Sequence, residues 1–435
     1  MLYHVVSKRS PWLASASFFV AVWLCFEYLH LHWEFSWPWL NLGNVFANNV
    51  GIIQWYEYTG SFGGTLWVLL TNLVVFKCIV LYKKYKERVI LIRGMIQVAL
   101  LLFIPMLISF VIGAQFPDSK QTTDVVVVQP NIDPYSEKYY TSDQQISQLI
   151  NELSAGLIND KTDLILLPET VFASGTRFSQ YQLSEAHRFS TDLILNYPNI
   201  SVLGGISAYE ILAKENIQPQ TNYSLRGFWY NDYNAAFFEK KNTQPDFYYK
   251  SKLVVGVENF PYQSILRPLL GDVMLDLGGT VAVKTTQEDR ATFESNTGIK
   301  YAPIICYESV YGEFVTGYVK NGAHVLAIMT NDAWWDETQG HQQHWEYAKL
   351  RAIETRRSVA RSANTGISGV IDATGKVMQQ TNYNQAIAIK ASVPIYTKQT
   401  FYVTHGDYIA RIAQFLALFI FLFSVIKHKK IGVKR

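Results

Sequence analysis

The sequence has little charge, few cysteines and no internal repeat or low-complexity tract. Charged residues make up 17% of the 435 residues and hydrophobic residues 49%, a balance too apolar for an ordinary soluble enzyme. The net charge of +3 is weak, and the basic residues lie beside apolar segments rather than along one polar face. We therefore expect no nucleic-acid partner.

The apolar residues concentrate at the two ends of the chain, in four segments of membrane-spanning length. A helix crosses a bilayer with roughly 17 to 25 predominantly apolar residues. The four predicted spans are residues 12–30, 62–82, 95–114 and 408–426.

Three basic clusters flank these spans, at residues 8–9, 83–93 and 427–435. Cytoplasmic loops carry an excess of Lys and Arg, so all three clusters are expected on one, cytoplasmic, side. The region between the third and fourth spans then faces outward. We predict three parts. They are an N-terminal membrane region (1–116), an exoplasmic domain (117–407), and a C-terminal helix with a basic tail (408–435).

The polar region between the spans alternates short apolar strands with amphipathic stretches, which is typical of a single α/β domain. The predicted strands are residues 124–129, 163–167, 200–206, 300–306, 323–330 and 367–372. The predicted helices are residues 142–159 and 341–357.

This region contains a single cysteine, Cys306, which follows an apolar run and precedes Tyr307 and Glu308. Cys25 and Cys78 lie in predicted spans and cannot easily reach it, so no disulfide is expected. A lone thiol after an apolar strand is either a core residue or a nucleophile.

Two further signals supply a carboxylate and an amine. Glu169 follows Leu-Leu-Pro at the end of an apolar run, a place where catalytic groups often lie at a sheet edge. Lys250 and Lys252 compete for the amine role, because strand alternation puts both on one face. In carbonyl chemistry the carboxylate can take and return the thiol proton, while the lysine stabilises developing negative charge.

The order Glu169, Lys250, Cys306 resembles the nitrilase superfamily of carbon-nitrogen hydrolases, and within it the apolipoprotein N-acyltransferase family. The resemblance rests on six motifs that occur in the family's order. They are Pro168-Glu169, Thr221-Asn222-Tyr223-Ser224, Tyr249-Lys250 with Glu258, Ile305-Cys306-Tyr307-Glu308, Thr330-Asn331-Asp332-Ala333-Trp334, and Arg361-Ser362-Ala363-Asn364-Thr365-Gly366. The resemblance implies an α/β fold, a nitrilase-like four-layer αββα sandwich flanked by transmembrane helices. It also selects Lys250, with Glu258 eight residues on, over Lys252.

The resemblance assigns roles to nine residues. It implies that Glu169 is the general base, Lys250 the charge stabiliser and Cys306 the nucleophile. Supporting or substrate-binding positions are Glu258, Glu308, Tyr307, Asn222, Asn331 and Trp334. Plain alternatives stay open for these six, namely structural ion pairs for the two glutamates and packing or hydrogen bonding for the others.

The activity implied is acyl transfer from a phospholipid, phosphatidylethanolamine above all, to the α-amine of the N-terminal diacylglyceryl-cysteine of apolipoproteins. The reaction would be ping-pong through a Cys306 thioester, in the bacterial inner membrane with the catalytic domain in the periplasm. No cofactor is needed, because the donor is already an ester. No metal is expected either, since no ligand set at a recognised spacing accompanies His341 and His344.

The sequence also departs from that family. Its members carry several more membrane helices, so this chain is expected to be an N-terminally shortened relative or a fragment. After Leu253-Val254 the family usually has proline, whereas this chain has Val255. The family also has a site tryptophan some residues after the segment that corresponds to residues 129–132, where the nearest aromatic residues of this chain are Tyr135, Tyr139 and Tyr140. Two other hypotheses are a membrane-tethered amidohydrolase and an inactive lipoprotein-binding relative. The membrane flanks argue against the first, and the intact Glu, Lys and Cys against the second.

Overall fold

The computed structural model describes residues 2–133, 141–218, 220–224, 226–262, 265 and 283–432. Contacts divide the chain into a helical unit, Met1–Phe116 with Thr400–Arg435, and an α/β unit, Pro117–Gln399. The helices of the described residues are α1 Leu2–Ser7, α2 Trp12–His32, α3 Tyr56–Tyr85, α4 Arg88–Ala114, α5 Asp143–Ser154, α6 Glu185–Asn196, α7 Gly312–Lys320, α8 Gln339–Thr355, α9 Phe401–His405 and α10 Tyr408–Gly432.

The strands of the described residues all belong to the α/β unit. They are β1 Thr122–Gln129, β2 Thr162–Leu166, β3 Phe172–Arg177, β4 Ser201–Leu212, β5 Asn222–Tyr223, β6 Trp229–Glu239, β7 Asp246–Tyr249, β8 Phe293–Glu294, β9 Lys300–Ile305, β10 Val325–Thr330, β11 Ser358–Ala363, β12 Gly369–Ile371, β13 Val377–Gln380 and β14 Ile387–Pro394.

Four helices of the helical unit are long and apolar enough to cross a membrane. They are Trp12–His32, Tyr56–Tyr85, Arg88–Ala114 and Tyr408–Ile426, each covering one of the predicted spans. Most large side chains of α4 and α10 are exposed within the unit, as expected of surfaces that lie against lipid. The four predicted membrane helices are therefore confirmed as helices of spanning length.

One buried carboxylate, Glu27, links helices within this unit. Its Oε1 accepts hydrogen bonds from Trp23 Nε1 at 3.0 Å and from the Leu42 backbone N–H at 2.9 Å. Its Oε2 lies 2.7 Å from Thr65 Oγ1 on α3. A polar group at membrane depth is costly unless its hydrogen bonds are satisfied, so this network joins α2, α3 and the segment between them.

Two sheets form the centre of the α/β unit. The first has the order β14-β1-β2-β4-β6-β5, with β3 beside β4 and β7 beside β6, and the second has the order β13-β12-β11-β10-β9-β8. Strands β1, β2 and β4 run parallel to one another, as do β9, β10 and β11. Of these, β2, β9 and β10 are buried on both faces along all or nearly all of their length, which explains their mainly apolar sequences.

Helices cover the outer faces of the two sheets. Helices α5 and α6 pack on the first sheet, and α7 and α8 pack on the second. Between the sheets, Tyr301 OH of β9 donates to Asp163 Oδ2 of β2 at 2.6 Å, and Ser362 Oγ of β11 donates to the Val128 carbonyl of β1 at 2.6 Å. The predicted four-layer αββα sandwich is confirmed.

Candidate active site

Cys306, the predicted nucleophile, begins a short 3-10 turn, Cys306–Val310, directly after β9. Its φ of +49° lies in the left-handed region, which non-glycine residues seldom adopt. Such a conformation costs about 1–3 kcal/mol and persists only where the surroundings enforce it, as functional sites often do. The side chain is buried, with 5% of the residue exposed.

Lys250 follows β7 and lies between two carboxylates. Its Nζ is 2.8 Å from Glu169 Oε1 and 2.9 Å from Glu258 Oε2, and the ammonium is almost fully buried. Lys252 lies elsewhere, with its Nζ 5.1 Å from the centre of the Tyr311 ring. Of the two competing lysines, the structure places Lys250 among the acidic residues.

Asn234 of β6 completes this cluster and was not predicted from the sequence. Its Nδ2 donates to Glu169 Oε1 and to Glu258 Oε1, both at 2.8 Å, and its backbone carbonyl accepts from the backbone N–H of Lys250 at 2.9 Å. The amide therefore separates two carboxylates that share one lysine. The available signal was a polar residue in the middle of an otherwise apolar run, Tyr-Asn-Ala-Ala-Phe-Phe.

Burial and charge fix the protonation states of the central pair. Burial raises the pKa of the Cys306 thiol well above its usual value, and the Glu169 charge raises it further, while Lys250 opposes both. Burial alone would lower the pKa of Lys250, but the Glu169 and Glu258 carboxylates raise it well above its usual value. The cluster therefore holds a neutral thiol beside a permanent cation, and attack by the sulfur requires a base.

Glu308 joins the nucleophile turn to the segment that carries Lys250. Its Oε1 accepts from the Ser251 N–H and from Tyr248 OH, each at 2.6 Å. Its Oε2 accepts from the Ile305 N–H at 2.8 Å and from Tyr318 OH at 3.1 Å. Burial raises the pKa of Glu308 to about 7, against the lowering effect of the Tyr248 hydrogen bond.

Replacing Glu308 with glutamine is expected to destabilise the protein and slow its reaction. The Ser251 and Ile305 N–H groups point at different oxygens, so either orientation of the new amide sets an NH2 group against a backbone donor. A buried donor without an acceptor costs about 1–3 kcal/mol. Thermal unfolding and the rate of Cys306 acylation measure the effect, with the exposed Glu152 replaced by glutamine as control. Unchanged unfolding and rate in the Glu308→Gln variant would contradict this account.

Three of the remaining predicted positions differ in burial and in their neighbours. Tyr307 is buried and packs edge-to-face on Tyr311 with ring centres 5.3 Å apart. Asn331 is buried after β10, and its Oδ1 accepts from Asn364 Nδ2 at 3.3 Å. Trp334 is 47% exposed.

Asn222 lies on the short strand β5, at the end of the first sheet's strand order. Its Nδ2 donates to the Val283 carbonyl at 2.9 Å, and its Oδ1 accepts from the Val283 N–H at 3.2 Å. Both ends of this amide are therefore used by a backbone contact. Tyr135, Tyr139 and Tyr140 lie outside the described residues.

Among the described residues, one group of metal-binding residue types includes the nucleophile itself. A ligand atom from each of Cys306, Asp332 and His344 lies within 4.8 Å of the other two, although the three are dispersed in sequence. The Asp332 oxygens already accept from Arg361 Nη2 at 2.7 Å and from Thr330 Oγ1 at 2.7 Å. Both oxygens of Asp332 and both ring nitrogens of His344 already have hydrogen-bond partners. Because a metal would have to displace some of these partners, the residues fit a hydrogen-bonded network better than a metal site.

The Glu169 turn requires Gly205 on the neighbouring strand β4. A Cβ atom at Gly205 would lie 2.2 Å from the Thr170 nitrogen and 2.7 Å from the Glu169 Cα. Gly205→Ala is therefore expected to displace the turn, lower stability by about 1–3 kcal/mol, and slow the reaction. Gly156→Ala is the control, because nothing lies within 4 Å of its added Cβ. Equal melting temperatures and acylation rates for the two variants would refute the prediction.

The chain matches two family models. Residues 124–397 match the carbon-nitrogen hydrolase family, and residues 1–74 match the apolipoprotein N-acyltransferase N-terminal domain. The apolipoprotein N-acyltransferase of Chlorobaculum tepidum is 26% identical over 444 residues, covering 99% of this chain and 80% of the relative. That of Thermotoga maritima is 24% identical over 422 residues, covering 96% and 73%. A solved amidase from Nesterenkonia sp. is 14% identical with a TM-score of 0.45, covering 68% of this chain and 97% of the amidase.

Proposed function

Because the chain belongs to the carbon-nitrogen hydrolase family, and its N-terminal region matches the apolipoprotein N-acyltransferase domain, we propose that it N-acylates lipoproteins at the membrane. The predicted acyltransferase class is confirmed by relatives of that name that cover nearly the whole chain. The main support for the mechanism is the buried ion-pair cluster of Glu169, Lys250 and Glu258. Glu169 and Lys250 are close enough to Cys306 for their charges to shift the pKa of its thiol.

In the first half-reaction Cys306 Sγ attacks the carbonyl carbon of a phospholipid ester, while Glu169 takes the thiol proton. The Lys250 ammonium stabilises the negative charge of the tetrahedral intermediate. The intermediate collapses by breaking the carbon-oxygen bond, and Glu169 returns the proton to the departing lysophospholipid oxygen. The acyl chain is then held as a thioester on Cys306.

In the second half-reaction the α-amine of the acceptor attacks the thioester carbonyl. Glu169 takes one proton from the attacking nitrogen, and an amide bond forms as the carbon-sulfur bond breaks. The proton passes to the departing Cys306 sulfur and restores the neutral thiol. Transfer from the thioester to the amine is the favoured direction, since a neutral amine readily attacks a thioester, whereas a thiol does not readily attack the amide product.

The finer assignments belong to this proposal as well. The donor is a phospholipid, with phosphatidylethanolamine first, and the acceptor is a lipoprotein bearing a diacylglyceryl-cysteine at its N-terminus. The protein lies in the bacterial inner membrane, and the basic clusters at residues 8–9, 83–93 and 427–435 support a periplasmic α/β unit. Hydrolysis of a small soluble amide is not favoured, because four apolar helices of spanning length suit a donor and an acceptor that reside in the bilayer.

The test is intact-protein and peptide mass spectrometry of the full chain after incubation with phosphatidylethanolamine micelles. We expect one hydroxylamine-labile acyl group on the Cys306 peptide and none on the peptides of Cys25 or Cys78. Addition of a diacylglyceryl-cysteinyl peptide should move that group to the peptide amine. Discharge to water at the same rate with or without the peptide would support a hydrolase, and the lack of any adduct on folded protein would overturn the proposal.

A further inference from the structure

Helix α8 presents two side chains to the backbone of the nucleophile turn. His344 and Arg351 are seven residues apart, about two helical turns, so both lie on one face of the helix. Arg351 Nη1 donates to the Val310 carbonyl at 2.8 Å, at the end of the turn. His344 meets the beginning of the turn, at Cys306 itself.

His344 Nε2 lies 3.2 Å from the carbonyl oxygen of Cys306 and 2.9 Å from Ser309 Oγ. The Ser309 hydroxyl in turn donates to the same Cys306 carbonyl at 2.7 Å. The imidazole and the hydroxyl therefore meet at the Cys306 carbonyl, which belongs to one of the two peptide groups that flank the Cys306 Cα and orient its side chain. Both side chains are buried, so water does not compete for these bonds.

The other side of the imidazole is held by a buried ion pair. His344 Nδ1 lies 2.9 Å from Asp332 Oδ1, and Arg361 Nη2 binds the second oxygen of Asp332 at 2.7 Å. Burial would raise the pKa of Asp332, but Arg361 and His344 hold it well below its usual range. An ionised carboxylate and a carbonyl oxygen both only accept hydrogen bonds, so Nδ1 donates to Asp332 and Nε2 donates to the Cys306 carbonyl, with a proton on each ring nitrogen. The two bonds together fix the ring orientation that points Nε2 at the turn.

We propose that His344 is a positioning residue for the acyl-transfer reaction, which holds the Cys306 carbonyl and thereby keeps the left-handed backbone that aims the sulfur. This inference rests on the proposed role of Cys306 as nucleophile. The ordered chain Arg361, Asp332, His344, Cys306 supplies the outside support that a cysteine with a φ of +49° needs. His344 acts through the backbone and takes no proton from the substrate.

Two isosteric variants separate the two sides of the ring. In His344→Gln the terminal amide nitrogen can reach the position of Nε2 and donate to the Cys306 carbonyl. In His344→Asn the shorter amide can reach only the position of Nδ1, beside Asp332. We expect His344→Asn to lose about 100-fold in kcat with KM nearly unchanged, because small displacements of a reacting atom cost that much, and His344→Gln to recover most of it.

His341→Gln is the matched control. His341 is also buried on α8, one turn earlier, where its Nδ1 lies 3.2 Å from the Asp336 carbonyl and its ring packs on Tyr383. The His341→Gln variant should lower the stability of the protein through lost packing, without a selective loss in kcat.

A second test needs no acyl substrate. The rate at which iodoacetamide alkylates Cys306 is measured by peptide mass spectrometry, and thermal unfolding is measured on the same variants. We expect slower alkylation in His344→Asn than in His344→Gln at equal melting temperature. Equal alkylation rates in the two variants, or rates that simply follow their melting temperatures, would overturn the positioning role. A wild-type protein that forms no acyl adduct would refute the proposed function separately, since the alkylation comparison still stands.

Discussion

Replacing Cys306 with serine is expected to abolish acyl transfer while leaving the fold intact. An alcohol is far less acidic than a thiol, so Glu169 would have to remove a much more tightly held proton, and the product would be an oxygen ester rather than a thioester. Loss of a covalent nucleophile costs about 1,000-fold or more in rate. The hydroxyl is close to the thiol in size, so we expect stability to change by less than about 1 kcal/mol.

The measurement is the rate of acyl transfer to a diacylglyceryl-cysteinyl peptide, beside thermal unfolding of the same preparation. Cys78→Ser is the control, because that thiol lies in the helical unit and contacts the Ile90 carbonyl at 3.5 Å. We expect wild-type transfer from this variant. Transfer by Cys306→Ser at more than about one hundredth of the wild-type rate would mean that another group forms the intermediate.

The membrane helices could be predicted because each is a long apolar run, and the α/β class because short apolar strands alternate with amphipathic stretches. The four-layer arrangement of the sheets and helices came from the family resemblance. The parallel strands β2 and β10 are buried along their whole lengths and β9 at all but its first residue, and the three were predicted within two residues of their ends. Helix α5 was predicted to reach residue 159 but ends at Ser154. Gly156 follows two residues later, and glycine is less favourable in a helix than alanine by about 1 kcal/mol.

The choice between Lys250 and Lys252 could not be made from strand alternation. Alternation applies only while the strand continues, and β7 ends at Tyr249, one residue before the first of the two lysines. Beyond that point the backbone turns, which sends Lys250 toward Glu169 and Lys252 toward the Tyr311 ring. The family resemblance selected Lys250, and the carboxylates around it supply the physical reason.

The buried residues that contact the site could not be predicted from the sequence, because they come from segments that are far apart in the chain. Asn234 and Asn222 are both asparagines beside a tyrosine, and only the pairing of β6 between β4 and β5 places Asn234 inside the acidic cluster. Asp332, His344 and Arg361 likewise meet only when β10, α8 and β11 pack together. Sequence spacing carries no information about such contacts, which the sheet register decides.

Lys250→Met is expected to cost both stability and activity. Methionine has a similar length and no charge, so it leaves the Glu169 and Glu258 carboxylates buried side by side without a cation. Removing one partner of a buried ion pair costs about 3–5 kcal/mol, because the remaining charge stays uncompensated. The transition state also loses the ammonium that faces its developing negative charge, and we expect the rate to fall by about 1,000-fold.

Two companion variants separate these effects. Lys250→Met combined with Glu258→Gln removes one of the two unpaired carboxylates, so part of the lost stability should return while the rate stays low. Lys252→Met removes a neighbouring lysine that contacts the Tyr311 ring rather than the acidic cluster, and it should cost less than about 1 kcal/mol with little change in rate. Thermal unfolding and the acyl-adduct rate of the three variants provide the comparison. If the double variant regained activity together with stability, Lys250 would be a structural counter-ion only, and the charge-stabilising role would have to belong to another donor near Cys306.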